Sequence, residues 1–131
     1  MSDTILIIED NDQNLYLMQF LLEKNGYKIV SAKTGTHGIL LAASSLPDAI
    51  LLDIQLPGMN GYMVAAEIRK NSRLESVPII AVTSYAMPGD REKAIAAGAS
   101  AYIEKPINPE TFVSQVRAHI VMRKNRKENL P

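Results

Sequence analysis

Short apolar runs alternate along this chain with longer stretches in which apolar residues recur at helical spacing. The runs are rich in Ile, Leu, Val and Ala, a composition typical of strands that are buried on both faces of a parallel sheet. The predicted strands are Thr4 to Ile8, Lys28 to Ala32, Ala49 to Asp53, Ile79 to Thr83 and Ser100 to Glu104.

The stretches between the strands carry signals for helix starts and ends. Asn25 and Gly26 follow the first stretch and indicate a left-handed helix end, whereas Pro88 and Pro109 suit the first turn of later helices. The predicted helices are Asp12 to Lys24, Thr36 to Ser45, Tyr62 to Lys70, Pro88 to Gly98 and Pro109 to about Arg123.

The regular alternation of strand and helix predicts the α/β class. Right-handed crossovers would place helices on both faces of one parallel sheet, so we expect a doubly wound five-stranded sheet in the order 2-1-3-4-5, flanked by five helices. A chain of 131 residues with 47% hydrophobic content suits one domain with a real core. That domain is expected at residues 1–123, with a short basic tail at 124–131 and no output domain.

The amino-acid composition limits the cellular compartments and the kinds of site that this protein can have. Cysteine is absent, which removes disulfide frameworks and thiolate metal sites and fits a reducing compartment. The amino terminus lacks the positive charge of a secretory signal, and no apolar run approaches the roughly 20 residues that span a bilayer. We therefore expect a cytoplasmic protein without a membrane association.

Fourteen basic and fourteen acidic side chains cancel, so no global field favours nucleic acid or an anionic membrane. Charge is nevertheless uneven along the chain. Acidic residues gather at Glu9, Asp10 and Asp12, and basic residues gather near the carboxyl terminus at Arg117, Arg123, Lys124, Arg126 and Lys127. The favoured interpretation of this basic segment is a solvated last helical turn that complements the helix dipole. A docking or membrane-surface role is the alternative.

Polar residues whose side chains can bind ligands or take part in catalysis lie at the ends of four predicted strands. Glu9 and Asp10 follow the first strand, Asp53 and Thr83 close the third and fourth, and Lys105 follows the fifth. The carboxyl ends of parallel strands meet at one edge of the sheet, which is where open α/β sheets bind ligands. Three carboxylates, a hydroxyl and an ammonium group at that edge predict a site for a divalent metal and a phosphoryl group.

Electrostatic cost indicates that this cluster is functional rather than structural. Two like charges about 4 Å apart repel by roughly 4 kcal/mol at an effective dielectric constant near 20, which is a large share of a small domain's stability. A fold gains no stability from placing Asp10 beside Asp53 without a ligand. Asp12 and Asp90, by contrast, are interpreted as helix caps or solvated loop acids.

Four motifs give the chain a family resemblance. The segments IIEDN, LLDIQLPGMNG, VTSYA and YIEKP, in this order and each after its expected strand, resemble the receiver domain of two-component response regulators from about Thr4 to His119. The implied fold is that of CheY. Because no effector domain follows, the chain resembles a stand-alone receiver of the DivK or chemotaxis CheY type.

The resemblance implies a role for each site residue. Asp53 would be the phosphoacceptor, Thr83 the switch hydroxyl and Lys105 the cation that binds the phosphoryl group. A Mg²⁺ ion, with Mn²⁺ as a substitute, would bind through these groups: Glu9, Asp10, Asp53 and the backbone carbonyl of Gln55. Tyr102 matches the switch aromatic, and a cis bond before Pro106 would aim Lys105 into the site.

The resemblance also implies a function that depends on other proteins. A histidine kinase or phosphotransfer protein would phosphorylate Asp53, and a downstream protein would bind the face formed by the fourth helix, fifth strand and fifth helix. His37 and His119 lack partners at catalytic spacing and are interpreted as surface residues. The chain would catalyse only its own phosphorylation and dephosphorylation, so it is not expected to be an enzyme in the ordinary sense.

Two alternative functions share the aspartyl phosphate chemistry. In a phosphorelay intermediate, the phosphoryl group would pass on to a histidine phosphotransfer protein. A phosphatase of the haloacid dehalogenase type is disfavoured, because such enzymes resemble DxD and this chain has Gln55 at the second position. A nucleotide-binding domain is disfavoured because no GxGxxG follows the first strand.

Tyr85 is a candidate for shielding the phosphoryl group from water and prolonging its lifetime.

Overall fold

The computed structural model describes residues 3–84 and 87–128. It contains a five-stranded parallel sheet in the order β2-β1-β3-β4-β5, which confirms the predicted fold class and strand order. The strands are β1 (Thr4–Ile8), β2 (Lys28–Ala32), β3 (Ala49–Asp53), β4 (Ile79–Thr83) and β5 (Ala101–Glu104). The fifth strand begins one residue later than predicted.

Five α-helices flank this sheet, as the sequence predicts. They are α1 (Asp12–Lys24), α2 (Gly35–Ser45), α3 (Gly61–Arg69), α4 (Asp90–Ala97) and α5 (Pro109–Glu128). Side-chain oxygens of Asn11, Thr34 and Asn60 cap the first three helices by accepting a hydrogen bond from a backbone N–H of the first turn. These caps explain why α2 and α3 begin one residue before the predicted starts.

Two boundaries differ from the sequence prediction by more than one residue, and one short element was not predicted. Helix α4 begins at Asp90 rather than near Pro88, because Gly89 adopts a left-handed conformation with φ of 90°. Helix α5 continues beyond Arg123 to Glu128, so most of the segment predicted as a tail is helical. A short 3-10 helix at Ser72–Leu74 was not predicted.

Two apolar layers hold the helices against the sheet. One face of the sheet packs against α1 and α5 through Met18, Leu22, Phe112 and Val116. The opposite face packs against α2 and α3 through a second cluster that includes Ala42, Val64, Ala65 and Ile68. Strands β3 and β4 are buried along their whole lengths. The carboxyl ends of these central strands therefore project from a rigid base.

None of the helices in the described ranges combines the length and hydropathy needed to cross a bilayer.

Gly61 fixes the position of the segment that follows β3. A Cβ atom at Gly61 would lie 2.5 Å from Ile54 Cα and 2.8 Å from the carbonyl oxygen of Asp53. The backbone N–H of Gly61 also donates a hydrogen bond to the carbonyl oxygen of Ile54 at 2.9 Å. Only glycine allows this close approach, and α3 therefore begins directly against the strand end that carries Asp53.

Candidate metal and phosphoryl-transfer site

The predicted site residues converge at the carboxyl edge of the sheet. Asp53 and Thr83 end the two central strands and are 4% and 2% exposed. The backbone N–H of Lys105 donates to the carbonyl oxygen of Thr83 at 2.7 Å, which places the lysine beside the end of β4. The parallel register thus joins segments that are distant in sequence.

Three carboxylates form the centre of the site. One oxygen each from Glu9, Asp10 and Asp53 lies within 4.8 Å of the other two. Glu9 and Asp53 are buried, whereas Asp10 is exposed and opens the cluster to solvent. Mg²⁺ prefers hard oxygen ligands and retains several waters, so two buried carboxylates and one at the solvent boundary suit this ion.

Lys105 partly compensates this negative charge. Its Nζ atom lies 2.7 Å from Glu9 Oε1 and 3.7 Å from Asp53 Oδ1, and its side chain is only 8% exposed. When all groups are ionised, three carboxylates face one ammonium group, so the cluster carries two net negative charges. A divalent cation would neutralise them.

The geometry of Glu9 provides a direct test of this metal fit. Oε2 accepts a hydrogen bond from the backbone N–H of Asn11 at 3.2 Å. Oε1 lies 2.7 Å from Lys105 Nζ in a buried ion pair and has no further partner within the described ranges. A carboxylate oxygen with one partner keeps a second lone pair for another ligand, and a metal ion or its water would occupy that position. The residues present therefore fit the ion.

Burial raises the pKa of Glu9 to about 7. The ammonium group of Lys105 acts in the opposite direction, and the neighbouring carboxylate of Asp53 raises the pKa further. Glu9 consequently changes its charge near neutral pH, unlike an ordinary glutamate.

Gln55 lies beside the phosphoacceptor candidate. Its backbone N–H donates to Asp53 Oδ1 at 3.0 Å, which fixes one carboxylate oxygen and leaves the other for the chemistry. Its exposed side chain also accepts a hydrogen bond from the backbone N–H of Ser84 at 3.3 Å, linking the loop after β3 to the loop after β4. This second contact was not predicted from the sequence.

Thr83 and Tyr102 lie diagonally across β4 and β5, because the register pairs Tyr102 with Ala81 and Thr83 with Glu104. Burial raises the pKa of the Tyr102 phenol, the negative charge of Asp90 raises it further, and a hydrogen bond with Thr83 acts in the opposite direction. The half-buried Tyr102 is therefore connected both to the strand end and to the start of α4. Tyr85 and the neighbouring Ala86 lie outside the described residues, and the expectation about Tyr85 stays a prediction.

A contact between α3 and α4 was not predicted from the sequence. Burial raises the pKa of Tyr62, and the charge of Asp90 and a hydrogen bond with it contribute in the same direction. Asp90 Oδ2 also accepts from the backbone N–H of Met87 at 2.9 Å, so it holds the loop before α4 and does not cap the helix, whose N-cap residue is Gly89. No sequence signal links Tyr62 to Asp90, because the two residues meet only when α3 and α4 pack.

The remaining acidic and basic candidates lie away from the central cluster. Asp12 forms an exposed ion pair with Lys33 at 2.5 Å, which agrees with its interpretation as a solvated acid. His37 is exposed and His119 is half-buried, and neither belongs to the cluster. The bond between Lys105 and Pro106 is cis, in agreement with the expectation from the resemblance.

Comparison with known proteins gives concordant matches. Residues 5–117 match the family model described as the response regulator receiver domain. The polar-differentiation response regulator DivK of Brucella ovis is 37% identical over 120 residues, which cover 92% of this chain and 98% of that protein.

Solved structures show the same similarity. The receiver domain of a sensor histidine kinase from Pseudomonas aeruginosa, with a magnesium ion coordinated in its active-site cleft, matches with a TM-score of 0.85 and 33% identity, covering 92% of this chain and 99% of that chain. A CheY-like receiver domain protein from Methanospirillum hungatei matches with a TM-score of 0.90 and 28% identity, covering 96% and 99% of the two chains.

Proposed function

The chain belongs to the family of response regulator receiver domains, and on that basis we propose that Asp53 accepts the phosphoryl group that controls it. Phosphorelay signalling is the general function of this protein. The observation that carries the assignment is the meeting of Asp53 with Glu9 and Asp10, their oxygens within 4.8 Å, while Lys105 Nζ lies 3.7 Å from Asp53 Oδ1.

The proposed reaction is a displacement at phosphorus. A carboxylate oxygen of Asp53 forms the new P–O bond as the P–N bond of a donor phosphohistidine breaks, and the imidazole leaves with the electron pair and takes a proton. Most of the catalytic effect in such transfers comes from positioning and charge neutralisation. The hydrogen bond from the Gln55 backbone N–H to Oδ1 orients the attacking carboxylate.

Receiver domains use Mg²⁺, and we assign its ligands here to Glu9, Asp10, Asp53 and the backbone carbonyl of Gln55, with Mn²⁺ as a substitute. The ion supplies positive charge to the phosphoryl oxygens and lowers the repulsion between phosphate and carboxylates. The buried Oε1 of Glu9 and the net negative charge of the cluster support this set.

Lys105 changes partner in this proposal. It now lies 2.7 Å from Glu9 Oε1, and a phosphoryl oxygen on Asp53 would offer it a stronger anionic partner. Its flexible side chain permits that movement. Thr83 would respond in the same way, by turning its hydroxyl toward the phosphoryl group and altering its contact with Tyr102.

We assign the output to the surface formed by α4, β5 and α5. This surface contains a cavity of about 440 Å³ whose lining includes Arg91, Tyr102, Gln115 and His119. Tyr102 thus connects Thr83 to the surface where a downstream protein would bind.

The upstream partner is a histidine kinase or a histidine phosphotransfer protein, in the cytoplasm where the phosphodonor is made. Nucleic acid and membranes are not expected partners, because the chain has no net charge.

The test of the phosphoacceptor uses a small phosphodonor, so that no partner has to be known. With acetyl phosphate and Mg²⁺, the wild-type chain should gain one phosphoryl group by mass spectrometry, and Asp53→Asn should gain none. Asp12→Asn is the matched control, because Asp12 is an exposed acid paired with Lys33 outside the cluster. Phosphorylation of Asp53→Asn at the wild-type rate would refute the assignment.

Whether the domain ends the relay or passes the phosphoryl group on requires a second measurement. We favour a response regulator that signals by binding. Radiolabelled phosphate should then leave the phosphorylated protein only to water when a histidine phosphotransfer protein is added. Transfer of the label to that protein would establish the relay alternative instead.

A further inference from the structure

A basic cavity lies at the end of the molecule opposite Asp53. It has a volume of about 90 Å³ and is lined by Ser76, Pro78, Ser100, His119, Met122, Arg123 and Arg126. Ser76 precedes β4 and Ser100 immediately precedes β5, so the cavity opens at the amino edge of the sheet. Its volume exceeds the roughly 15 Å³ needed for one water and suits a small polyatomic ligand.

The hydroxyl groups of this cavity have protons to donate. Ser100 Oγ accepts one hydrogen bond from Arg69 Nη2 at 3.3 Å and another from the backbone N–H of Ile79 at 3.2 Å. A serine hydroxyl has two acceptor positions and one proton, so the proton of Ser100 is left for a ligand. Ser76 Oγ accepts from Arg123 Nε at 3.3 Å, which also directs its proton away from the arginine.

The charges around the cavity are predominantly positive. Arg69 is half-buried and donates to the carbonyl oxygens of Gly98, Leu74 and Val77 at 2.9, 2.8 and 2.7 Å. Arg123 lies 3.6 Å from Asp48. Neither Arg69 nor Arg126 forms an ion pair in the part of the chain that the structure describes.

A charge count favours an anionic ligand. Arg123 and Arg126 line the cavity and face one contacting carboxylate, Asp48, whereas Arg69 contacts only the lining residue Ser100. The negative end of the α5 dipole offsets roughly half a charge more, so a net positive charge remains around the cavity. Burial lowers the pKa of Arg69, whose guanidinium group is already hydrogen-bonded to the carbonyl oxygens of Gly98, Leu74 and Val77.

We propose that this cavity binds a phosphate group, either as inorganic phosphate or as a phosphate monoester. Ser76 and Ser100 donate their hydroxyl protons to its oxygens, and Arg123 and Arg126 supply charge and further N–H donors. Nothing in the proposed phosphorelay function requires this site, because it lies at the opposite edge of the sheet from Asp53.

The test is a titration of the full chain with sodium phosphate in Mg²⁺-free buffer at constant ionic strength, followed by two-dimensional NMR. Saturable shifts in the millimolar range are expected for the amides of Ser76, Ser100 and His119. Arg126→Gln should weaken binding about tenfold, the loss expected for one charge-assisted hydrogen bond. Ser76→Ala should weaken it by a smaller factor.

Lys127→Gln is the matched control, since it removes one exposed cation from the same helix outside the lining residues. It should change the affinity less than twofold. Equal losses in the Arg126 and Lys127 variants would show a non-specific field and overturn the site, as would the absence of saturable shifts around the cavity.

Parallel titrations identify the ligand chemistry. Glycerol 3-phosphate that binds more tightly than inorganic phosphate would support a monoester, and the reverse order would support the free ion. Acetate should bind more weakly than both, because it has fewer oxygens to accept hydrogen bonds. Acetate binding as tight as that of phosphate would overturn the assignment to a phosphate group.

Discussion

Glu9 connects three events within one side chain. It is fully buried, contacts Lys105 at 2.7 Å and shares the cluster with Asp53. Protonation, metal binding and movement of the lysine therefore compete for the same carboxylate. An exposed acid such as Asp12 has no such competition for its carboxylate.

The raised pKa of Glu9 predicts a pH dependence of the metal-free protein. Because the pKa rises from 4.5 to about 7 on folding, the folded state holds a proton between these values that the unfolded state has released. The free energy of unfolding should thus fall as pH rises from 4.5 to 7 and become level above 7. Chemical denaturation across this range measures it, and Glu9→Gln should flatten that part of the profile. An unchanged profile in Glu9→Gln would contradict the assignment.

At the scale of elements, helix ends and strand ends place the site. Helix α3 starts at Gly61 against the backbone of Ile54, and the start of α4 is tied to α3 through Asp90 and Tyr62. These contacts join the loops after β3 and β4, which carry the chemistry and the switch. A change at either loop is therefore transmitted to the helices.

Gly61→Ala tests the close approach at the start of α3. Helix propensity alone predicts that alanine stabilises an exposed helix by about 1 kcal/mol relative to glycine. The contact of 2.5 Å with Ile54 Cα predicts the opposite sign, a loss of about 2 kcal/mol, because the clash is with backbone. Urea denaturation decides between them. A stabilised variant would show that the backbone approach does not constrain this position.

Tyr62→Phe tests the link between α3 and α4. Loss of the hydroxyl removes its hydrogen bond with Asp90, and we expect a decrease of about 1 kcal/mol in the free energy of unfolding. Tyr16→Phe is the control, since Tyr16 is 70% exposed and stacks on Phe20 through its ring. Equal effects of the two substitutions would show that the link contributes nothing to stability.

At the scale of the whole molecule, the sheet separates an acidic site from a basic site. Its carboxyl edge holds the acidic cluster at Asp53, and its amino edge holds the basic cavity near Arg126. The chain has no net charge because its fourteen acidic and fourteen basic residues cancel, and the two regions lie within that neutral total. The neutral total therefore conceals local fields of opposite sign.

Magnesium should stabilise the whole fold by mass action. An ion that binds only the folded state, present at ten times its Kd, adds about 1.4 kcal/mol, equivalent to a Tm increase of roughly 5 °C for a domain of this size. Differential scanning calorimetry with millimolar Mg²⁺ measures this shift. It should shrink strongly in Asp53→Asn and persist in Asp12→Asn. A shift of equal size in both variants would place the ion elsewhere.

Much of the fold was predictable because it depends on local patterns. Four of the five strands have the predicted bounds, since buried strands leave an uninterrupted apolar signal. The extension of α5 to Glu128 was missed because its last residues are polar on all sides and carry no periodicity. The 3-10 helix at Ser72–Leu74 is too short to produce any period.

The sequence by itself determined the order of strands and helices and the chemical types at the strand ends, because the apolar period and the strand boundaries are local properties. Tertiary structure alone decided how deeply Glu9 is buried, that Lys105 contacts it, and that Arg69 and Arg126 gather at the opposite edge. Burial, charge pairing and the resulting pKa shift depend on distances between segments far apart in the chain. Those distances exist only after the sheet has formed and the helices have packed against it.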